Sequence, residues 1–208
     1  METPFGAVPP RQAGAAAGTL AVQVIALVNS PASVDAAPLR DTLSAMLAAP
    51  VARRVLAIDG PAADRLPAGF ELMAQRGDDF GGRLAGALAD AHALAALPLL
   101  LIRADALDMT PDVLVDAARS LLSGEADAAF GPASDGGFWL IGLCRPDRSL
   151  VAGVPGTAEG RAPAAGAGRV LLDRLASAGL RVALTPRLEI GGALAGQATG
   201  PVTVTRVP

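Results

Sequence analysis

The residues of this chain best suited to chemistry gather in two short stretches, Arg103-Ala-Asp105-Ala-Leu107 and Gly131-Pro-Ala-Ser-Asp135-Gly-Gly-Phe138. Each sets a carboxylate just beyond an apolar run. Pro132 and Gly136-Gly137 punctuate a turn between Asp127–Phe130 and Phe138–Leu143, which places Asp135 at a strand-turn-strand corner. Backbone bare of side chains at Gly136 and Gly137 lets a phosphate or sugar approach closely, and Asp135 can then meet a metal or a substrate hydroxyl. The competing reading is an Asx-turn, in which Asp135 only bonds its own turn. Asp105 follows the apolar run Leu99–Ile102, at the strand end where an open α/β sheet sets its working groups; the alternative is a solvated loop residue. Two such carboxylates can share one divalent cation, Mg or Mn, with diphosphate oxygens and water completing an octahedral shell.

Phosphate has few other partners. All seventeen basic side chains are arginine, so a Walker-type lysine and a Schiff-base lysine are both excluded. The loop Gln75-Arg76-Gly77 and the glycine-led helix start Gly81-Gly82-Arg83 supply candidate anion contacts, with Arg76 or Arg83 the best available phosphate ligand. Other polar residues read more simply. Asp78-Asp79 is a solvated turn, and Asp108 a helix-start residue beside Thr110. His92, the one histidine, lies among Ala and Leu as a packing or surface residue, and Cys144 has no histidine near it in sequence.

These groups need a scaffold, and hydrophobic periodicity predicts one. Ala21–Val28 and Pro98–Ile102 are near-continuous apolar runs of the kind buried on both faces of a parallel sheet. Shorter strands are expected at Val55–Ile58, Phe70–Met73, Asp127–Phe130, Phe138–Leu143 and Arg181–Leu184. Helical spacing marks Pro38–Ala49, Arg83–Leu97 and Val170–Ala178. Thr110-Pro111-Asp112 is a helix start, with a hydroxyl at the N-cap, proline at the first position and an acid in the first turn; that helix runs to about Ser123. Residues 152–168, rich in Gly, Ala and Pro, read as a mobile loop. Strands alternating with helices predict a three-layer α/β/α fold whose sheet is mostly parallel, with an antiparallel segment among 138–143. Ligands of such sheets bind beyond the carboxyl ends of the strands.

With 208 residues and 51% hydrophobic content, the chain suits one domain, residues 19–208, behind a Pro/Gly/Ala-rich tail, residues 1–18, expected to be disordered. A net charge of −3 leaves no basic field for nucleic acid. The run Leu20–Val28 is too short to span a bilayer, and the single cysteine makes no internal disulfide. The segment before that run carries Glu2 and one arginine, which suits a secretory leader poorly, so a cytoplasmic protein is expected. Self-association stays open.

In order along the chain stand Gln75-x-Gly77 with Arg83-Leu84, the strand-end Arg103-Ala-Asp105-Ala-Leu107, Thr110-Pro111, and Gly131-Pro132-x-x-Asp135-Gly136-Gly137-Phe138 with Gly142-Leu143. This arrangement resembles the rSAM/selenodomain-associated transferase 1 family, nucleotide-diphospho-sugar transferases of GT-A fold, over about residues 20–185. The resemblance implies a nucleotide or nucleotide-sugar pocket at the carboxyl edge of the sheet. Asp105 would be the metal carboxylate, Asp135-Gly136-Gly137 would face the acceptor, and a glycosyl or nucleotidyl group would be transferred. Three positions depart from that pattern. The family's basic first loop is here Asn29–Asp35, without a cation; its first acidic element has Arg103 for glycine and Leu107 for proline; and its late acidic element is Leu188–Ala193, where Glu189 is the one acid left. A metal would then rest on Asp105, Glu189 and Asp135. Glycosyl transfer is expected ahead of nucleotidyl transfer, because the latter calls for a basic glycine-rich loop after the first strand. The alternative is a catalytically reduced protein that keeps the fold for binding or for a partner.

Overall fold

The computed structural model describes residues 18–28, 37–60 and 68–191. The expected tail, all but its last residue, and the loop Asn29–Asp35 lie outside the described residues. The elements run β1 (Leu20–Val28), α1 (Ala37–Ala48), β2 (Val51–Ile58), β3 (Glu71–Ala74), α2 (Phe80–Leu94), β4 (Leu99–Arg103), α3 (Pro111–Leu122), β5 (Ala128–Pro132), β6 (Phe138–Leu143), α4 (Ala167–Ser177) and β7 (Val182–Leu184). The seven strands form one sheet in the order β3-β2-β1-β4-β6-β5-β7. Among the described strands only β6 runs against its neighbours, pairing antiparallel with β4 and β5, while the other strand pairings are parallel. The antiparallel segment therefore falls on the Phe138–Leu143 run, as its turn punctuation predicts.

Alternation along the central strands feeds two cores. Val24, Ala26, Val28, Leu100 and Ile102 pack with α1 and α3, whereas Ile25, Leu27, Leu99 and Leu101 pack with α2 and α4. The three-layer α/β architecture follows from this double burial, which is why β1 and β4 read as unbroken apolar runs. At the start of α3, Thr110 Oγ1 accepts from the Val113 amide at 3.4 Å, with Pro111 at the first turn.

Several segments differ from their sequence expectation, among them α4, which begins at Ala167 and not Val170. β2 begins at Val51 and not Val55, because Arg53 and Arg54 belong to the strand. Arg53 donates to Gln23 Oε1 at 3.2 Å and pairs with Glu71 on β3, while Arg54 donates to the carbonyls of Met46 at 2.6 Å and Ala49 at 2.5 Å, closing the end of α1. α2 begins at Phe80 rather than Arg83. Asp79, expected in a solvated turn, is its N-cap and accepts from the Gly82 amide at 2.6 Å. Residues 152–168, expected as a mobile loop, are tied to the rest of the domain at several points. Val154 is buried, the Thr157 amide donates to Ala162 O at 2.8 Å, and Arg174 Nη1 donates to Ala152 O at 2.6 Å. A chain rich in Gly and Pro looks loose in sequence, but here the small residues serve close backbone packing.

The outer edge of the sheet is clamped by charge. Asp127, just before β5, accepts from the Arg181 guanidinium at 2.9 and 3.0 Å and from its amide at 3.1 Å. These bonds hold the Asp127 carboxyl at about 2, below the ordinary range of an aspartate. A depressed folded pKa contributes stability that is complete above the unfolded value, about 3.9, and is lost as the pH falls through the folded one. Asp127→Asn is therefore expected to be less stable than the unchanged chain at pH 7, with the difference shrinking between about pH 4 and pH 2. Urea unfolding at both ends of that window checks the sign.

Candidate functional site at the carboxyl edge

β4 ends in a charge. Arg103 lies two residues beyond Leu101, on the face that packs against α2 and α4, and it is 6% exposed. Its guanidinium turns along the carboxyl edge and meets two carboxylates. Nε and Nη2 donate to Asp105 Oδ1 and Oδ2 at 2.9 and 2.8 Å, and Nη1 donates to Asp135 Oδ2 at 2.7 Å. Burial works against the charge on Arg103, but the hydrogen bonds and charges of Asp105 and Asp135 outweigh it and hold the guanidinium above its ordinary pKa. The remaining oxygen, Asp135 Oδ1, accepts from the Gly137 amide at 2.9 Å. The two readings of Asp135 coexist: one oxygen closes an Asx-turn, and the other reaches the neighbouring strand end.

The last described segment ties both carboxylate loops together. The Leu107 amide donates to Glu189 O at 2.8 Å, the Gly191 amide to Asp105 O at 2.8 Å, and the Ser134 amide to Leu188 O at 3.0 Å. Glu189 thus stands beside the Asp105 loop, with its residue exposed and its backbone carbonyl in use. From the interior, Trp139 Nε1 donates to Pro186 O at 3.0 Å and so anchors the same segment to β6.

Gly136 and Gly137 permit a close approach, and the chain itself uses part of it. Gly136 has φ +81°, and its carbonyl accepts from the amides of Gly166 and Gly168 at 3.2 Å each, docking the start of α4 on the turn. A Cβ on Gly137 would come within 2.8 Å of Pro163. On the other side, the two glycines line an open cleft of about 470 Å³ together with Pro132, Arg169 and Arg187. A Cβ on Gly168 would run into the Gly137 carbonyl, which is backbone and cannot swing away. Gly168→Ala is therefore expected to lose about 1–3 kcal/mol, the usual scale of overpacking. Arg169→Ala, an exposed neighbour, should melt within a degree or two of the unchanged chain, so paired thermal melts check the prediction.

The arginine-bearing loop divides. Gln75 Nε2 donates to Val28 O at 3.0 Å and Ala57 O at 2.8 Å, so this side chain knots the ends of β1 and β2. Gly77, with φ +136°, lies flat against the backbone of Gly82 and Arg83. Arg76 pairs with Asp90, ten residues into α2 and so about 15 Å along the helix from its start; this draws it away from the carboxyl edge. Arg83 stays at that edge. Its Nη1 donates to Asp59 Oδ2 at 2.9 Å just beyond β2, and the exposed Arg161 lies 3.9 Å from the same oxygen.

The donor set can be tested against a divalent cation. All four oxygens of Asp105 and Asp135 are engaged, three by one buried guanidinium and one by a backbone amide. Among the described residues, no group of three or more His, Cys, Asp or Glu is placed to hold a metal. The arrangement fits a guanidinium and does not fit the expected cation on Asp105 and Glu189. Other singled-out residues lie outside the cluster. His92 is exposed on α2. Cys144 Sγ sits 3.3 Å from the carbonyls of Leu121 and Ala126, and burial raises its thiol pKa. Asp108 adopts φ +57°, a left-handed turn that aspartate tolerates better than most residues. Arg103 and Asp59 are the members that sequence reasoning missed. The available signal for Arg103 was its spacing, since residues two apart on an extended chain share a face.

Comparison with known proteins places this fold among GT-A-like structures. A candidate nucleotide-diphospho-sugar transferase from Desulfovibrio desulfuricans G20 matches with a TM-score of 0.68 at 20% identity over 81% of each chain. Glucosyl-3-phosphoglycerate synthase from Mycobacterium tuberculosis, solved with Mn2+, UDP and glucosyl-3-phosphoglycerate, matches with a TM-score of 0.54 at 17% identity over 84% of this chain and 71% of that one. CMP:2-keto-3-deoxy-manno-octonic acid synthetase, solved with CTP, gives 0.55 at 12% identity over 79% of this chain and 89% of its own. At these identities the likeness is one of fold. No curated protein matches the chain in sequence. No helix among the described residues is long and apolar enough to cross a membrane. A family model described as "Uncharacterized protein conserved in bacteria (DUF2064)" matches residues 42–156, and the chain belongs to that family.

Proposed function

We propose that this chain binds a nucleotide or a nucleotide-diphospho-sugar over the carboxyl edge of its sheet, as a transferase-like protein with glycosyl transfer ahead of nucleotidyl transfer. The observation that carries this reading is the convergence of Asp105 and Asp135, from two separate strand ends, on one guanidinium at that edge. The fold of its structural neighbours and the resemblance to the rSAM/selenodomain-associated transferase 1 family support it. Each carboxylate side chain keeps 36% of its surface exposed, which leaves lone pairs to accept bonds from sugar hydroxyls while Arg103 fixes the orientation. Arg83, aimed by Asp59 and Gly77 O, is the arginine best placed to meet a phosphate. The cleft beside Gly136 and Gly137 offers an acceptor side with Arg169 and Arg187 on its wall. In glycosyl transfer the charge that develops on the leaving diphosphate must be met by fixed donors, a role this reading gives to Arg83.

Binding to the native state must raise the melting temperature, by about 2.7 kcal/mol of stability at a ligand concentration a hundredfold above Kd. A thermal-shift panel of nucleoside di- and triphosphates and nucleotide sugars is expected to stabilise the chain, and Arg83→Met to reduce that shift. A panel that stabilises nothing sinks the reading. A second reading is favoured by the Arg103 cluster: a protein that keeps the fold for binding, or for a partner, without turnover. Nucleotide-sugar binding with no release of diphosphate product, in the presence of a panel of acceptors, would select it.

A further inference from the structure

We infer that Arg103 is a built-in cation that takes the place a divalent metal would need between Asp105 and Asp135, so that this site excludes Mg2+ and Mn2+ until Arg103 is removed. The inference concerns the chain and a metal ion alone, and it holds whether or not a nucleotide binds.

Geometry carries it. Arg103 engages Asp105 through a two-bond fork and reaches Asp135 through its remaining nitrogen, at 2.7 to 2.9 Å throughout. A metal held by these oxygens at about 2.1 Å would lie closer than about 5 Å to a nitrogen of the buried guanidinium. Two cations at that separation repel, and the fixed one cannot yield. A guanidinium does not lose its proton in proteins, and this one is buried at the end of a central strand. The fourth oxygen belongs to the Asp135 turn, where the Gly137 amide holds it. Glu189, the third carboxylate a metal would recruit, is exposed and enters the local bonding through its backbone carbonyl.

Loss of the guanidinium leaves the two carboxylates that it joins with no counter-ion. That pair is then the beginning of a cation site.

The probe is Mn2+ alone, titrated into metal-stripped full chain and followed by calorimetry and by the spin-resonance signal of free Mn2+. The unchanged chain is expected to show no saturable Mn2+ binding at this site. Arg103→Gly and Arg103→Met are expected to bind one Mn2+ at least tenfold more tightly, and Asp135→Asn added to either should abolish the gain. Arg103→Lys, which keeps a charge there, should behave like the unchanged chain. If the unchanged chain takes up one Mn2+ and Asp105→Asn removes that site, the inference is overturned. Equal Mn2+ affinity in the unchanged chain, Arg103→Lys and Arg103→Met also overturns it. Should the glycine and methionine variants fail to fold without metal, recovery of their circular dichroism and melting transition on adding Mn2+ supports the inference, and no recovery at saturating Mn2+ counts against it.

Discussion

Arg103→Met is expected to destabilise the chain by about 2–4 kcal/mol in urea unfolding, a large share of the 5–15 kcal/mol that holds an ordinary domain together. Removing one partner of a buried ion pair costs more than the pair itself contributes, because the charges left behind have lost both water and counter-ion. Here one cation serves two carboxylates, so its loss leaves Asp105 and Asp135 repelling each other at adjoining strand ends. Both carboxylates are partly exposed, which keeps the expected loss below the upper end for a fully buried triad. A further variant separates charge from packing. Arg103→Met combined with Asp105→Asn and Asp135→Asn removes all three charges together and is expected to recover more than half of the loss. If the triple variant is no more stable than the single one, Arg103 acts through its alkyl stem, and the electrostatic account fails.

The scaffold was legible in the sequence where burial is complete and the period is clear. Runs such as Val24–Val28 and Leu99–Ile102 suit a strand covered on both faces, since they are too short for a buried helix and every side chain in them is apolar. Thr110-Pro111 fixed the start of α3 for an equally local reason. Legibility failed where long polar side chains do structural work at a distance. Arg53 and Arg54 hid the first half of β2, because their guanidinium groups reach Gln23 on β1 and the last turn of α1 respectively. The candidate site shows the same limit. Spacing placed Asp105 and Asp135 at strand ends, but the residue that joins them comes from an apolar strand, and its partner Asp135 lies thirty-two positions away. Arg76 and Arg83 are equivalent in composition, yet Asp90 draws one along α2 while Asp59 holds the other at the carboxyl edge. Which arginine stays is set by the partner each one finds, and sequence spacing does not reveal that choice.

Trp139 connects the core to the site, and its truncation should have the largest effect of any apolar substitution. It is the one tryptophan, wholly buried in β6, and its ring lies so close to Gly131 that a Cβ there would meet it at 2.5 Å. Trp139→Ala is expected to cost about 3–5 kcal/mol, from lost transfer energy and the cavity left in a close-packed layer, enough to leave the chain marginal or unfolded at 37 °C. Trp139→Phe keeps most of the volume and removes the indole N–H. Its direct loss is the bond to Pro186 O, about 1 kcal/mol, plus the smaller ring. That bond anchors the segment whose Glu189 carbonyl and Gly191 amide hold the Asp105 loop, so the phenylalanine variant should also loosen the site. Hydrogen exchange at the Leu107 and Gly191 amides measures this directly: both should exchange faster in Trp139→Phe by more than the fall in global stability accounts for. Exchange that rises only in step with global stability would show that the 186–191 segment holds its place without the tryptophan, and that the core and the carboxylate pair are not coupled through it.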